Sequence, residues 1–229
     1  GLDVIAGPDG QMWINDWSDT GECHDNTGLH RTSGRIYRVV YDGDKKGEAE
    51  PADIQWLTDR SKSGFGTEEI NALLSSADEA KRAMGVRFLC EDLADEDSTV
   101  GRLVGVAATD ASGLVRIEVA AGLQRLPLGR RLEVAAALCQ RSEDVDDRQQ
   151  SLMIWYGIEE AVVHHADDAV ALAISAQIPK IVNLVARRLG ESLDENPTAV
   201  ESLLATTMTT GSATKRWEVL RGFGDGLRG

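Results

Sequence analysis

The spacing of apolar residues changes once along the chain, close to Thr67. Before that point, short β-prone runs at residues 4–6, 12–14 and 35–41 predict three strands. The first two runs are joined by residues 7–10 (Gly-Pro-Asp-Gly), which predict a hairpin, because proline presets a turn and glycine accommodates positive φ. After Thr67 the apolar period is that of an α-helix.

About ten helices are predicted in this second part. Thr67 is expected to cap the first of them, and Pro127, Pro179 and Pro197 each stand where a helix would begin. The predicted helices are residues 67–76, 79–94, 98–108, 113–126, 128–140, 147–162, 167–176, 179–190, 197–208 and 213–224.

These helices repeat. Residues 82–89 (Arg-Ala-Met-Gly-Val-Arg-Phe-Leu) align with residues 116–123 (Arg-Ile-Glu-Val-Ala-Ala-Gly-Leu). A period in the thirties that carries two helices is typical of an α-solenoid, in which stacked pairs bury an apolar stripe that one pair cannot bury alone. The matching core positions, separated by 34, 35, 31 and 34 residues, are Leu89, Leu123, Ile158, Leu189 and Phe223.

Three regions are predicted. Residues 1–41 form a β segment, residues 42–66 are a polar linker in which Trp56 and Leu57 dock on a neighbour, and residues 67–229 form the helical repeats. The chain opens without a methionine inside a predicted strand, so we expect it to be a fragment of a larger multidomain protein.

The net charge of the chain indicates which classes of partner it disfavours. It has 38 acidic and 24 basic residues, a net charge of −14. This argues against nucleic acids and anionic membranes, which bind clusters of Lys and Arg. No apolar run approaches the ~20 residues of a membrane helix. Cys90 and Cys139 stand in apolar helical runs and are expected to be buried thiols.

A polar loop between the second and third strands concentrates the candidate metal ligands, which are Asp16, Asp19, Glu22, His24 and Asp25. Carboxylate oxygens suit Ca²⁺, whereas Cys23 and His24 suit a transition metal. The alternative, which we favour, is an acidic loop ordered by Asx turns and by ion pairs with Arg31 and Arg35. If the loop binds an ion, we expect Ca²⁺ rather than zinc, because the carboxylates outnumber the soft ligands.

Other polar groups have a structural and a functional interpretation. His164-His165 before Asp167-Asp168 is interpreted as a polar turn between helices rather than as a metal or acid–base pair. Trp155-Tyr156 is interpreted as packing rather than as a ligand surface. No catalytic constellation is recognised, and no Cys-x-x-Cys-His sequence is present to attach a c-type haem.

Two glycine pairs also need an interpretation. Gly101 and Gly105 have the GxxxG spacing that favours close helix packing. The segment from Gly222 to Gly226 superficially resembles a phosphate loop, but no strand precedes it and no lysine follows it. We therefore interpret it as a fraying helix end.

Longer phrases resemble known modules. Residues 114–126 (Leu-Val-Arg-Ile-Glu-Val-Ala-Ala-Gly-Leu-Gln-Arg-Leu) resemble the second helix of a HEAT repeat. Residues 4–17 (Val-Ile-Ala-Gly-Pro-Asp-Gly-Gln-Met-Trp-Ile-Asn-Asp-Trp), the acidic loop and residues 34–39 (Gly-Arg-Ile-Tyr-Arg-Val) resemble the last blade of a β-propeller. That order, followed by residues 152–159 (Leu-Met-Ile-Trp-Tyr-Gly-Ile-Glu), is similar to bacterial proteins labelled membrane-bound dehydrogenases.

Members of that family combine a propeller resembling soluble glucose dehydrogenases, a HEAT-repeat region and a c-type cytochrome domain. The resemblance implies a mainly α fold: a HEAT-like solenoid of about five helix pairs preceded by a three-stranded blade remnant. It also implies a parent protein in the periplasm or cell envelope that carries quinone and c-type haem. No catalytic or cofactor-binding residue of the family maps onto this chain.

Two functions are therefore expected. The first is a non-catalytic interaction or spacer module that contacts a protein partner or neighbouring domains of the same chain. The alternative is a part of a quinone-dependent sugar or alcohol dehydrogenase, with the acidic loop near the mouth of its active site.

Overall fold

The chain divides into two compact units, residues 1–64 and residues 65–229. A computed structural model describes residues 3–6, 12–16, 35–39, 64–92 and 97–228.

The first unit contains a three-stranded antiparallel sheet. Its strands are β1 (Asp3–Ala6), β2 (Met12–Asp16) and β3 (Arg35–Val39), in the order β1-β2-β3. Ile5 pairs with Trp13 across the first junction, and Ile14 pairs with Tyr37 across the second. The three predicted strands and their antiparallel pairing are confirmed, whereas the turn at residues 7–10 lies outside the described residues.

Apolar side chains are exposed on both faces of this sheet. Val4 and Tyr37 share one face, and Ile5 and Ile36 share the other. All four are at least half exposed. Three strands alone are marginally stable in water, and a sheet normally buries its apolar face against another layer. Both faces of this sheet therefore have the composition of surfaces that pack against other elements.

The second unit is helical, as predicted. Its helices run close to the predicted bounds, and 3-10 turns at Leu123–Arg125 and Ser142–Asp144 were not predicted. Within residues 64–92 and 97–228 the ten α-helices are α1 (Thr67–Leu74), α2 (Glu79–Asp92), α3 (Asp97–Thr109), α4 (Gly113–Gly122), α5 (Leu128–Cys139), α6 (Arg148–His164), α7 (Ala166–Ser175), α8 (Pro179–Glu191), α9 (Pro197–Thr210) and α10 (Ala213–Gly226).

The helices form two layers, because each helix from α2 to α8 contacts the helix two places further along the chain. The even-numbered helices stack in the order α2, α4, α6, α8 and α10, and we call them the B layer. The odd-numbered helices from α3 to α9 stack likewise, and with α1, which packs on α2, they form the A layer. Five helix pairs stacked in this way are an α-solenoid. The mainly α fold class with an N-terminal three-stranded sheet is confirmed.

The core is one continuous cluster that follows the repeat. Leu89, Leu123, Ile158 and Leu189 are fully buried, and Phe223 is 6% exposed. These are the five positions that the repeat spacing predicts. The stacking of successive pairs therefore buries what a single pair would leave in water.

The start of the first helix differs from the prediction. Thr67 does not cap α1, because Gly66 occupies the N-cap position and Thr67 is the first helical residue. The side chain of Glu69 accepts the backbone N–H of Gly66 at 3.2 Å. Glycine and this reaching-back carboxylate are both common at helix starts. Pro179 and Pro197 do begin α8 and α9.

The two glycine pairs behave in the opposite way to the predictions. Gly101 and Gly105 lie on an exposed face of α3, where an added Cβ would meet no atom within 4 Å, so the close-packing prediction is wrong. Gly222 and Gly226 belong to α10 and face α8, so the fraying-end interpretation is also wrong. A Cβ added at Gly222 would lie 2.4 Å from the carbonyl oxygen of Asn183.

Candidate functional site

The predicted metal ligands fall mostly outside the described part of the chain. Asp16 is the last residue of β2 and pairs in register with Arg35. Asp19, Glu22, His24 and Asp25 lie outside the described residues, as do Trp56 and Leu57. The Ca²⁺ prediction stays a prediction. Within the described residues, no group of three or more His, Cys, Asp or Glu side chains could hold a metal ion.

Ion pairs join consecutive repeats in the first half of the B layer. Arg82 of α2 donates from Nε to Asp110 at 2.7 Å and from Nη2 to its other carboxylate oxygen at 3.0 Å. Arg116 of α4 makes the same bidentate contact to Asp144, with Nε at 2.6 Å. The Arg116 and Asp144 side chains are 3% and 6% exposed. Each pair links the start of a B-layer helix to the loop before the next one.

These pairs are charged and structural rather than catalytic. The hydrogen bond from Arg82 holds the pKa of the Asp110 carboxyl below its usual range. The hydrogen bond to Asp144 raises the pKa of Arg116 above its usual value. A general acid or base needs a pKa near the working pH, and these shifts move both groups away from neutrality. The pairs therefore tie repeats together.

In α6 and α8 a side-chain amide near the start of the helix joins neighbouring B-layer helices. Gln150 of α6 donates to the backbone carbonyl of Arg116 at 3.2 Å. Asn183 of α8 donates to the carbonyl of Glu218 in α10 at 3.2 Å. Arg82, Arg116, Gln150 and Asn183 all lie within the first five residues of their helices. Residues near the starts of the B-layer helices therefore join repeats through two kinds of side chain.

The helical cysteines carry no reactive thiol. Cys90 is 2% exposed and Cys139 is fully buried. Burial raises the pKa of each thiol to about 12. Because the thiolate is the nucleophile and the metal ligand, neither cysteine is suited to catalysis or to metal binding near neutral pH.

A cleft of about 610 Å³ opens where the 3-10 turn after α4, the start of α5, α6 and the end of α8 meet. Tyr156 of α6 stands in it with 53% of its surface exposed. Most of the other groups that line it are charged. They include Arg131, Glu159, Glu160, Arg188 and Glu195.

The two arginines of the cleft are held differently. Arg131 is fixed, since its Nε donates to the carbonyl of Leu126 at 3.0 Å and its Nη2 to that of Gln124 at 2.9 Å. Arg188 contacts Glu191 through Nη1 at 3.3 Å. Its Nε is buried and has no hydrogen-bond partner in the described structure. Arg188 therefore lines the cleft with one ion-pair contact and one buried N–H.

Trp155 and Tyr156, which the sequence analysis treated together, separate in the structure. Trp155 is partly buried and packs against the core, as the packing interpretation requires. Tyr156 points into the cleft, which that interpretation missed. On α6 the two neighbours differ by about 100° around the helix axis, so one can face the core while the other faces water.

The histidine pair lies at the turn between α6 and α7. His164 ends α6, and His165 stands between the two helices with its ring against Gly129 of α5. Asp167 and Asp168 lie in the exposed first turn of α7, where carboxylates favour the helix dipole. This placement favours the polar-turn interpretation.

Comparison of the chain with protein-family models, with curated proteins and with solved structures found no match. The resemblance to the dehydrogenase family therefore stays a prediction. No helix in residues 64–92 and 97–228 has the length and apolar character needed to cross a membrane.

Sequence reasoning missed the ion pairs and the cleft. The ion pairs left a signal, because Asp110 and Asp144 each follow an aligned arginine by 28 residues. The cleft left none, since Arg131, Tyr156 and Arg188 come from three different helices and share no motif.

Proposed function

We propose that the helical part of the chain is a non-catalytic module that binds a protein partner or holds domains apart in a larger protein. The observation that carries the proposal is the cleft on the stacked-repeat scaffold, which an exposed aromatic side chain, Tyr156, lines together with two arginines. Tyrosine and arginine are enriched among the residues that dominate binding energy at protein interfaces. Solenoids commonly bind partners along their stacked surface.

The chemistry of the cleft favours a polypeptide over a small molecule. Small-molecule sites are mostly apolar with a few polar groups, whereas this cleft is lined mainly by charged side chains. Arg131 and Arg188 can bind carboxylates or backbone carbonyls. Glu159 and Glu160, both exposed, can pair with basic side chains. A segment with mixed charge and an apolar residue against Tyr156 would match this surface.

The sheet supports a place within a larger protein. Its two apolar faces are suited to packing against further layers, and a propeller blade has such neighbours on both faces. The residues that resemble a closing blade are those of the sheet and of the loop between β2 and β3. The HEAT-like repeats would then space this propeller from the next domain, in a parent protein that the family resemblance implies for the cell envelope.

A retention experiment tests the interaction function. Three proteins are immobilised: the full chain, its Tyr156→Ala variant and a control variant, Glu201→Ala. Glu201 is an exposed residue of α9 in the A layer. Each protein is then incubated with soluble protein from the source cells. At least one protein held by the wild type and by Glu201→Ala should be depleted about tenfold on Tyr156→Ala, a typical loss for an interface anchor. Identical retention by all three proteins would contradict a binding role for the cleft.

A turnover assay separates this proposal from the enzymatic alternative. Dye-linked oxidation of sugars and alcohols is measured with the chain and with its parent, with and without added quinone and Ca²⁺. The module proposal requires that the chain alone gives no turnover, because catalysis needs a convergent pocket with a positioned base and an electron acceptor. Turnover by the chain alone would establish the alternative.

A further inference from the structure

The last helix exposes an apolar strip on the side that faces away from the rest of the solenoid. Trp217 is 63% exposed, Leu220 52% and Leu227 62%. At about 100° per residue Trp217, Leu220 and Gly224 share one side of α10 with Leu227, its helical C-cap residue, and we call this side the outer face. Val219, Gly222, Phe223 and Gly226 occupy the opposite side and are buried.

The repeat explains why this face is apolar. Asn183, Ala186 and Gly190 of α8 contact α10, at Glu218, Gly222 and Phe223 respectively. Leu189 and Phe223 are equivalent core positions 34 residues apart. The same offset of 34 residues makes Trp217, Leu220 and Gly224 of α10 equivalent to Asn183, Ala186 and Gly190 of α8. In α8 these are the residues that contact the next B-layer helix. The outer face therefore continues the established B-layer interface by one step.

The outer face also differs in charge from the chain as a whole. Residues 213–229 contain four basic and two acidic residues, although the whole chain has a net charge of −14. Lys215 donates to the carbonyl of Ile174 in α7, so three arginines remain beside the outer face. Arg216 flanks the apolar strip on one side, and Arg221 and Arg228 flank it on the other. Arg221 and Arg228 contact Glu218 and Asp225 of their own helix while 47% and 76% exposed. Such exposed pairs are weak and exchange readily for a partner's carboxylates.

We propose that the outer face of α10 binds an amphipathic α-helix that carries acidic residues beside its apolar stripe. The bound helix packs on Trp217 and Leu220 and so extends the B-layer stack beyond α10, as α10 extends it beyond α8. Its carboxylates pair with Arg216, Arg221 and Arg228. Trp217 and Leu220 are larger than Asn183 and Ala186, the residues at the equivalent positions of α8. We therefore expect the axes of α10 and of the bound helix to lie at the ordinary separation of about 8–10 Å. This surface is additional to the Tyr156 cleft and does not depend on it.

The direct test uses the full chain and a synthetic helical peptide of about 20 residues. One face of the peptide carries Leu and Ala, and the flanking positions carry Glu. A second peptide has Lys at every Glu position. Binding is followed by fluorescence anisotropy of the labelled peptide at about 0.15 M salt, where screened long-range attraction contributes little.

The Glu peptide should bind the wild type at least about tenfold more tightly than the Lys peptide. Leu220→Asp should weaken binding of the Glu peptide by about tenfold or more. Leu114→Asp, which alters another exposed leucine on α4, should leave that binding unchanged. The double variant Arg216→Glu, Arg221→Glu should exchange the preference and bind the Lys peptide better. Circular dichroism confirms that each variant remains helical.

Three results would overturn the proposal. The first is equal binding of the two peptides, or binding of neither. The second is undiminished binding to Leu220→Asp. The third is a concentration-dependent dimer of the wild type in sedimentation that Leu220→Asp dissociates, since a second copy of the chain would then occupy the outer face.

Discussion

The two halves of the B layer join their repeats by different means. From α2 to α6, bidentate arginine–aspartate pairs connect each helix start to the following loop. From α8 to α10, Asn183 donates to a carbonyl and Gly222 and Gly226 allow the two backbones to touch. Gly122 and Gly157 allow close approach in the first half as well, so the halves differ in the arginine–aspartate pairs that the first half adds. Polar residues near the helix starts therefore join successive repeats through more than one kind of contact.

The difference predicts how each half tolerates substitution. A buried charge pair fails when one partner is lost, because the remaining charge has no compensation. A glycine contact fails when any atom is added, because backbone cannot move aside cheaply. The first half is therefore sensitive to losing a charged partner. Both halves are sensitive to gaining atoms, because a Cβ added at Gly122 would lie 2.4 Å from Cys90 Sγ and one added at Gly222 would lie 2.4 Å from the carbonyl oxygen of Asn183.

The largest effect is expected from Arg116→Ala. It leaves Asp144 buried without its partner and should lower the free energy of unfolding by about 3–5 kcal/mol, measured by urea denaturation. Arg87→Ala, which alters a 62% exposed arginine of α2, is the matched control and should change stability little. The double variant Arg116→Met, Asp144→Leu should recover most of the loss. A double variant as unstable as the single one would show that the charge itself is required.

Gly222→Ala should destabilise the second half by about 1–3 kcal/mol, the usual cost of overpacking. Gly224→Ala is the control on the same helix, where an added Cβ meets only the end of the Arg228 side chain at 3.8 Å. It should stabilise by up to about 1 kcal/mol, because alanine is the better helix former. If both variants behaved alike, close approach at Gly222 would not hold the junction.

Acid should weaken the charged half. The pKa of Asp110 is lowered in the folded state by its bond from Arg82. The resulting stabilisation is present above the unfolded-state pKa of about 3.9 and is lost as pH falls through the folded-state value. Asp110→Asn should therefore reduce the melting temperature at pH 7 and flatten its decline below pH 4. If the melting temperatures of both proteins declined in parallel below pH 4, Asp110 would not be the group responsible for the acid sensitivity.

The smallest effect concerns thiol labelling. Cys90 lies against Gly122 at the first charged junction, whereas Cys139 lies in α5. Both should resist alkylation at pH 8 in the folded protein, because their pKa values are near 12. Arg82→Ala should accelerate labelling of Cys90 more than that of Cys139, as read by peptide mass spectrometry. Equal acceleration would mean that the ion pair stabilises the whole solenoid rather than its own junction.

The fold was predictable because apolar periodicity reports burial directly. Leu89, Leu123, Ile158, Leu189 and Phe223 could be named as core from spacing alone, and all are buried. The glycine pairs show the limit of such patterns. Spacing places two glycines on one face of a helix but does not say where that face points, so Gly101 and Gly222 were both misassigned.

The candidate site was less predictable because its parts meet only in the folded chain. Tyr156 was noticed as an aromatic residue, but its exposure depends on how α6 is rotated against its neighbours. Arg131 and Arg188 gave no signal in the sequence. The ion pairs were an intermediate case, since a fixed offset between aligned arginines and aspartates is visible before the structure is known.

The contacts between repeats also affect the order in which the repeats can fold during synthesis. Arg82 and Arg116 reach partners 28 residues ahead, Asn183 one 35 residues ahead, and Gln150 reaches back 34 residues. A ribosome adding about 5–20 residues per second delivers such a stretch in roughly 1–7 s. Each repeat can therefore close onto its predecessor while the next is still inside the exit tunnel. The solenoid can be completed from the N-terminus forward, with one unfinished junction exposed at a time.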